Sequence, residues 1–200
     1  MPSTVDIIEA LLFASDKPLP IEKLAAIAGI KPSEALEEIE VLREEKSRIG
    51  GLRVVEVAGG WQLVTKPHLA SFVAQLRDVP RQKLSRAAFE VLAIAAYRQP
   101  VTRGEIESLR GVDCGGPLQL LLEKKLLEYA GRRDSIGRPW LYATTPLFLE
   151  HFGLRTTEDL PSLTEFAALN SGIEAPLQGL FATAHNANEA SDAAPGDESN

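Results

Sequence analysis

LSRAAFEVLAIAAYRQPVTRGEIESLRGV, residues 84–112, reads as two short helices around one sharp corner. Ser85 is suited to cap the first helix, because its hydroxyl accepts a free backbone N–H. Ala88, Val91, Leu92 and Ala95 then recur at the i, i+3, i+4, i+7 spacing of an apolar helix face. Pro100 lacks an N–H and disfavours helical geometry at Gln99, so the helix should end there. Thr102 and Glu105 have the spacing of a capping box, and Val101 and Ile106 flank it as a hydrophobic staple. The second helix turns Ile106 and Leu109 inward and stops at Gly111. Two capped helices followed by another apolar run make a helix-turn-helix.

The same pattern stands earlier in the chain. Pro18, Leu19, Leu24, Ile27, Gly29 and Ile30 match Pro100, Val101, Ile106, Leu109, Gly111 and Val112 at a constant offset (100 − 18 = 111 − 29 = 82). A repeat this long is a duplicated domain; solenoid units run to only about 20–50 residues. The chain therefore reads as two copies of one small helical domain.

Working outward, Val5–Ser15 predicts the first helix, with Ser3 or Thr4 as cap, and Ile21–Ala28 the second, closed by Gly29. Pro32 opens a third helix that carries Leu36, Ile39 and Leu42 to about Ser47. Leu52–Val57 and Trp61–Thr65 are β-prone runs around Ala58-Gly59-Gly60, a hairpin signal. Pro67–Arg77 reads as a linking helix. In the second copy, Pro117–Leu126 is the third helix and Tyr129–Arg132 and Trp140–Ala143 are the wing strands. A last helix starts at Thr145-Pro146 and ends at Gly153. The fold class is mainly α with small β wings (α+β): two tandem winged-helix domains and an acidic tail. The boundaries fall at 1–66 for the first domain, 67–84 for the linking helix and linker, 85–155 for the second domain and 156–200 for the tail. The Ala-, Asn-, Ser- and Asp-rich sequence from about 167 is expected to be disordered.

Charge narrows the function. Residues 1–80 carry 9 Lys/Arg against 12 Asp/Glu, residues 81–155 carry 12 against 8, and residues 156–200 carry none against 8. These sum to the net charge of −7 (−3 + 4 − 8), so only the second domain offers phosphates a favourable field. The third helix of the first copy carries Glu34, Glu37, Glu38, Glu40, Glu44 and Glu45 against Arg43 and Lys46, and would be repelled from a DNA groove. Its counterpart starts Asp113-Cys114-Gly115-Gly116-Pro117-Leu118 and has no basic side chain before Lys124. Arg132, Arg133 and Arg138 cluster in the second wing. They read first as a solvated loop, with weak DNA contact as the alternative.

No catalytic constellation is expected. His68, His151 and His185 are scattered, Cys114 has no base beside it, and no metal-ligand spacing, P-loop or dinucleotide fingerprint occurs. A single cysteine cannot make an internal disulfide, and no apolar run approaches the ~20 residues of a membrane span. A cytoplasmic protein without cofactor or metal is the expectation. Trp61, Trp140 and Tyr142 fall in wing strands, where aromatic residues serve as core or as interface anchors.

At this point the residues themselves are telling. LSRAAFEVLAIAAYRQPVTRGEIESLRGVD, then LLEKKLLEYAGRRDSIGRPWLYATTPLFLEHFGLRTTEDLP, with VVEVAGGWQLVTKP in the first copy, closely resembles the bacterial segregation and condensation protein B family. The most specific signs are Gly137-Arg138-Pro139 before the last strand and the Thr144–Leu154 ending. Cys114 departs from the pattern, standing where a small polar residue is usual. The resemblance implies a non-enzymatic scaffold of the SMC–kleisin condensin complex that acts in chromosome condensation and partition. It implies a homodimer held largely by the first domain. It also implies binding to the kleisin, segregation and condensation protein A, and through it to the SMC ATPase, at the nucleoid. On that footing Trp61 and Leu63 are candidate dimer contacts, and Trp140, Tyr142, Phe148 and Phe152 candidate kleisin contacts. Trp61 is equally suited to covering its own core. The competing function is a winged-helix transcription regulator, which the acidic third helix opposes.

Overall fold

A computed structural model describes residues 2–76 and 84–162. The chain divides into two units, residues 1–83 with Leu149–Asp159, and Leu84–Phe148 with the chain from Leu160.

In the first unit, α1 (Thr4–Ala14), α2 (Ile21–Ala28) and α3 (Pro32–Arg48) precede a hairpin of β1 (Leu52–Val57) and β2 (Gly60–Thr65). Each helix boundary has a local cause. Ser3 and Asp6 exchange hydrogen bonds at the start of α1. Gly29 closes α2 in the left-handed region at φ 71°, which glycine adopts without penalty. Pro32 occupies the first turn of α3, where no N–H partner is needed. Ile8, Leu12, Leu24, Ala35, Ile39 and Leu42 pack into one core with Leu19, Val54 and Trp61. Leu19 and Trp61 exchange two backbone hydrogen bonds of 2.9 Å, which fasten the corner before α2 to the hairpin. That approach explains Gly60, since a Cβ there would sit 2.9 Å from the Leu19 backbone. At the hairpin turn, the Ala58 and Gly59 N–H groups donate to the carbonyls of Leu154 and Arg155, which belong to this unit. The linking segment is a 3-10 turn at Pro67–Leu69 followed by α4 (Ala70–Gln75), shorter than the helix its sequence suggests.

The second unit repeats the order. It holds α5 (Arg86–Arg98), β3 (Val101–Thr102), α6 (Arg103–Arg110), α7 (Gly115–Glu123), β4 (Leu127–Arg132) and β5 (Trp140–Thr144), and leads into α8 (Pro146–Phe152). Ser85 accepts from the Ala88 N–H, as its position suggested. The Thr102–Glu105 capping box is complete in both directions, and Val101 and Ile106 are buried beside it. The sheet runs β3-β5-β4, all antiparallel, with Val101 opposite Tyr142 and Tyr129 opposite Tyr142 on the other side.

The second unit differs from the sequence expectation at β3 and α7. Strand β3 was not anticipated, because two residues carry no periodicity and their partners lie about forty positions later. Helix α7 begins at Gly115 rather than Pro117: Cys114 occupies the cap position, and the Gly115 N–H donates to Asp113 Oδ2 at 3.0 Å. It ends at Glu123, with Lys124 as its cap, rather than at Leu126, since Lys125 turns to a positive φ of 55°. The expected linker is described only at Leu84, and the tail from 167 lies outside the described residues. Among the described residues no helix is long and apolar enough to cross a membrane.

Candidate interaction surfaces

The second wing places aromatic and cationic groups side by side. Trp140 and Tyr142 are two apart on β5 and so share a face, with Arg132 opposite Trp140 and Tyr129 opposite Tyr142 on β4. The Tyr129 ring lies 5.0 Å from that of Trp140 and 5.4 Å from that of Tyr142, both tilted. The Arg132 guanidinium sits 4.0 Å from the Trp140 ring centroid, a cation–π contact worth roughly 0.5–1 kcal/mol at an exposed site. This row runs from the interior outward: Tyr142 is 8% exposed, Trp140 42% and Tyr129 54%. Sequence reasoning named Trp140 and Tyr142 but not Tyr129; the signal was its position across the hairpin from them.

The three wing arginines differ. Arg132 covers Trp140 and reaches the Arg138 carbonyl at 3.4 Å. Arg133 is drawn back to Glu105 at 2.8 Å, so its charge is partly spent on the α6 capping box. Burial opposes ionisation of Glu105, but the Thr102 hydrogen bonds and Arg133 outweigh it and hold the carboxyl below its usual range. Arg138 sits in the exposed turn at a φ of 40°.

The second unit also holds an ionic frame that periodicity could not disclose. Glu90 on α5 is buried and accepts from Arg86 at 3.1 Å and Arg110 at 3.3 Å, and the Arg110 side chain is 6% exposed. Arg110 also donates to the Asp113 carbonyl at 3.0 Å. Arg103 bridges Glu107, at 2.6 Å, and Asp113. Both α6 arginines are thereby committed to carboxylates of their own unit. Cys114 is fully buried; burial, then the charge of Glu107, pushes its thiol up to about 11. Such a thiol is not a ready nucleophile. Among the described residues no group of His, Cys, Asp and Glu is arranged to hold a metal.

Several sequence candidates lie inside. Phe148 is 2% exposed and Tyr142 nearly as covered, so neither offers a partner much surface in this conformation. Trp140 and Phe152 remain exposed. Trp61 is 7% exposed within the first unit's core, and Leu63 packs half-buried against that core. The core role of Trp61 is the one this burial fits. Exposed apolar side chains of the first unit include Phe13, Ile27, Val41, Ile49, Phe72 and Leu76.

Comparison with known proteins adds the family. The family model described as segregation and condensation complex subunit ScpB matches residues 6–163. The chain belongs to the ScpB family. Segregation and condensation protein B of Desulforamulus reducens is 46% identical over 164 residues, covering 82% of this chain and 91% of that one. The protein of the same name from Syntrophotalea carbinolica is 46% identical over 189 residues, covering 94% and 96%. Among solved structures, ScpB from Mycobacterium tuberculosis is 35% identical and covers 76% of this chain and 95% of its own, with a TM-score of 0.36. A dimer of an ScpB N-terminal domain complexed with an ScpA peptide is 35% identical and covers 36% of this chain and 93% of its own, with a TM-score of 0.35. As an ScpB-family member, the chain is a subunit of the segregation and condensation machinery.

Proposed function

We propose that this ScpB-family chain works as a scaffold without catalytic chemistry of its own, a homodimer that binds the kleisin subunit, segregation and condensation protein A, and through it joins the SMC ATPase at the nucleoid. The observation that carries the reading is the exposed Tyr129–Trp140–Arg132 row on the second wing. Aromatic and arginine side chains, half-exposed and held by a hairpin, are the groups that dominate binding energy at protein interfaces. In the first unit, Phe152 is a separate exposed aromatic side chain, and half-buried Leu63 with the exposed apolar side chains of that unit supplies surface for a second copy. The DNA-reading alternative is weakened by the α6 arginines, which are tied to Glu90, Glu107 and Asp113, and by the acidic α3. What remains for nucleic acid is weak, sequence-independent contact by Arg132, Arg133 and Arg138. Affinity isolation of the chain from its own cells tests the proposal. The kleisin should co-purify, and Trp140→Ala should reduce it while the melting temperature holds. Tight, sequence-selective duplex binding abolished by Arg132→Ala and Arg133→Ala would overturn the scaffold in favour of a regulator.

A further inference from the structure

The second wing brings exposed aromatic and cationic side chains together. Tyr129, Trp140 and Ile136 are exposed beside Arg132 and Arg138. Complementary chemistry exists in the same chain. Residues 163–200 hold six carboxylates (Glu165, Glu174, Glu189, Asp192, Asp197, Glu198) and no Lys or Arg. Interspersed among the first of these are Phe166, Leu169, Ile173, Leu177 and Phe181. The point of attachment is in the right unit, because the Tyr97 hydroxyl donates to the Pro161 carbonyl at 2.7 Å. The chain beyond Ser162 has 200 − 162 = 38 residues, with an extended reach of at most about 137 Å, so distance does not prevent its return. Tethering raises the local concentration of such a segment to the millimolar range, where weak charge pairing becomes occupancy.

We propose that the acidic segment 163–200 docks on the second wing of its own chain, its carboxylates against Arg132 and Arg138 and its apolar side chains over Tyr129, Trp140 and Ile136. The docked segment is an intramolecular occupant that any anionic partner of this face, peptide or nucleic acid, must displace. The proposal stands apart from the kleisin reading, since docking is measured on the isolated chain. Exposed ion pairs hold it, so it weakens with salt.

The chain has two tryptophans, and Trp61 is buried, so a neutral quencher such as acrylamide reports mainly on Trp140. The full chain is compared with a full-length variant in which the six carboxylates are Gln or Asn. At low salt the variant should quench more steeply, and at high salt the two should coincide. In Trp140→Phe versions of both chains the difference should vanish. Salt titration of the unmodified chain alone is the second measurement, and raising salt should steepen its quenching. Equal slopes at low salt would overturn the proposal. So would a salt-insensitive difference, or one that grows with protein concentration, which would assign the docking to the tail of a second copy.

Discussion

Replacing Trp61 with Ala removes the largest side chain of the first unit's core. Trp61 is 7% exposed and packs with Ile8, Leu12, Leu24, Ile39 and Leu42. Its backbone is pinned to Leu19 by two hydrogen bonds of 2.9 Å, so the strand cannot easily move to fill the gap. Deleting a buried Trp costs about 3–5 kcal/mol when the site fails to collapse. A small domain has roughly 5–15 kcal/mol in total, so this loss leaves it marginal. At about 4–8 °C per kcal/mol for a domain of 60–100 residues, the first unit's melting point should fall by roughly 12–40 °C. Circular dichroism melts follow the loss without relying on the missing fluorophore, and sedimentation velocity on the same samples follows assembly. A variant that melts like the parent and sediments as a monomer would refute the core assignment and make Trp61 an interface residue.

Other expectations follow from the ionic frame and the perturbed groups. Arg110→Ala should destabilise the chain, though by less than the ~3–5 kcal/mol of a fully orphaned buried charge, because the buried Glu90 carboxylate keeps only Arg86 as its partner. The double variant Glu90→Ile with Arg110→Ala copies Ile8 and Ala28, the residues at the same repeat positions (90 − 82 = 8, 110 − 82 = 28), and should recover most of that loss in a urea melt. Cys114, pushed up to about 11, should resist iodoacetamide at neutral pH in the folded chain and react promptly once urea unfolds it. Asp159, hydrogen-bonded by Arg155, should titrate at about 2 rather than 3.8, and Arg155→Ala should return it toward the ordinary value in an NMR titration. Because the folded value is the lower one, this pairing favours the folded chain above the ordinary carboxylate range and is lost as pH falls through about 2.

The elements were legible where their causes are local. Ser85, Thr102 with Glu105, Gly29, Pro32 and Gly111 each fix a helix end through backbone geometry or one short hydrogen bond, and all act where the sequence places them. The wing strands were legible from β-prone runs around glycines. Strand β3 was not, because Val101 becomes a strand only through Tyr142. Glu90 reads as a solvated helix charge until the fold brings Arg110 to it. The aromatic residues were harder still. Trp61, Trp140, Tyr142 and Phe148 are alike in composition terms, and only the packing separates Trp140, which stays exposed, from the three that are covered.

The scaffold account depends most on the exposed aromatic row of the second wing. Titration calorimetry of the full chain with the purified kleisin subunit tests it directly, with Trp140→Ala alongside. The account predicts saturable binding by the parent chain, and an affinity reduced by at least about ten-fold in the variant, the size of a loss of roughly 1.4 kcal/mol at an interface anchor. The variant's melting temperature should be unchanged. No heat of binding with the parent chain, or equal affinity for both chains, would contradict it.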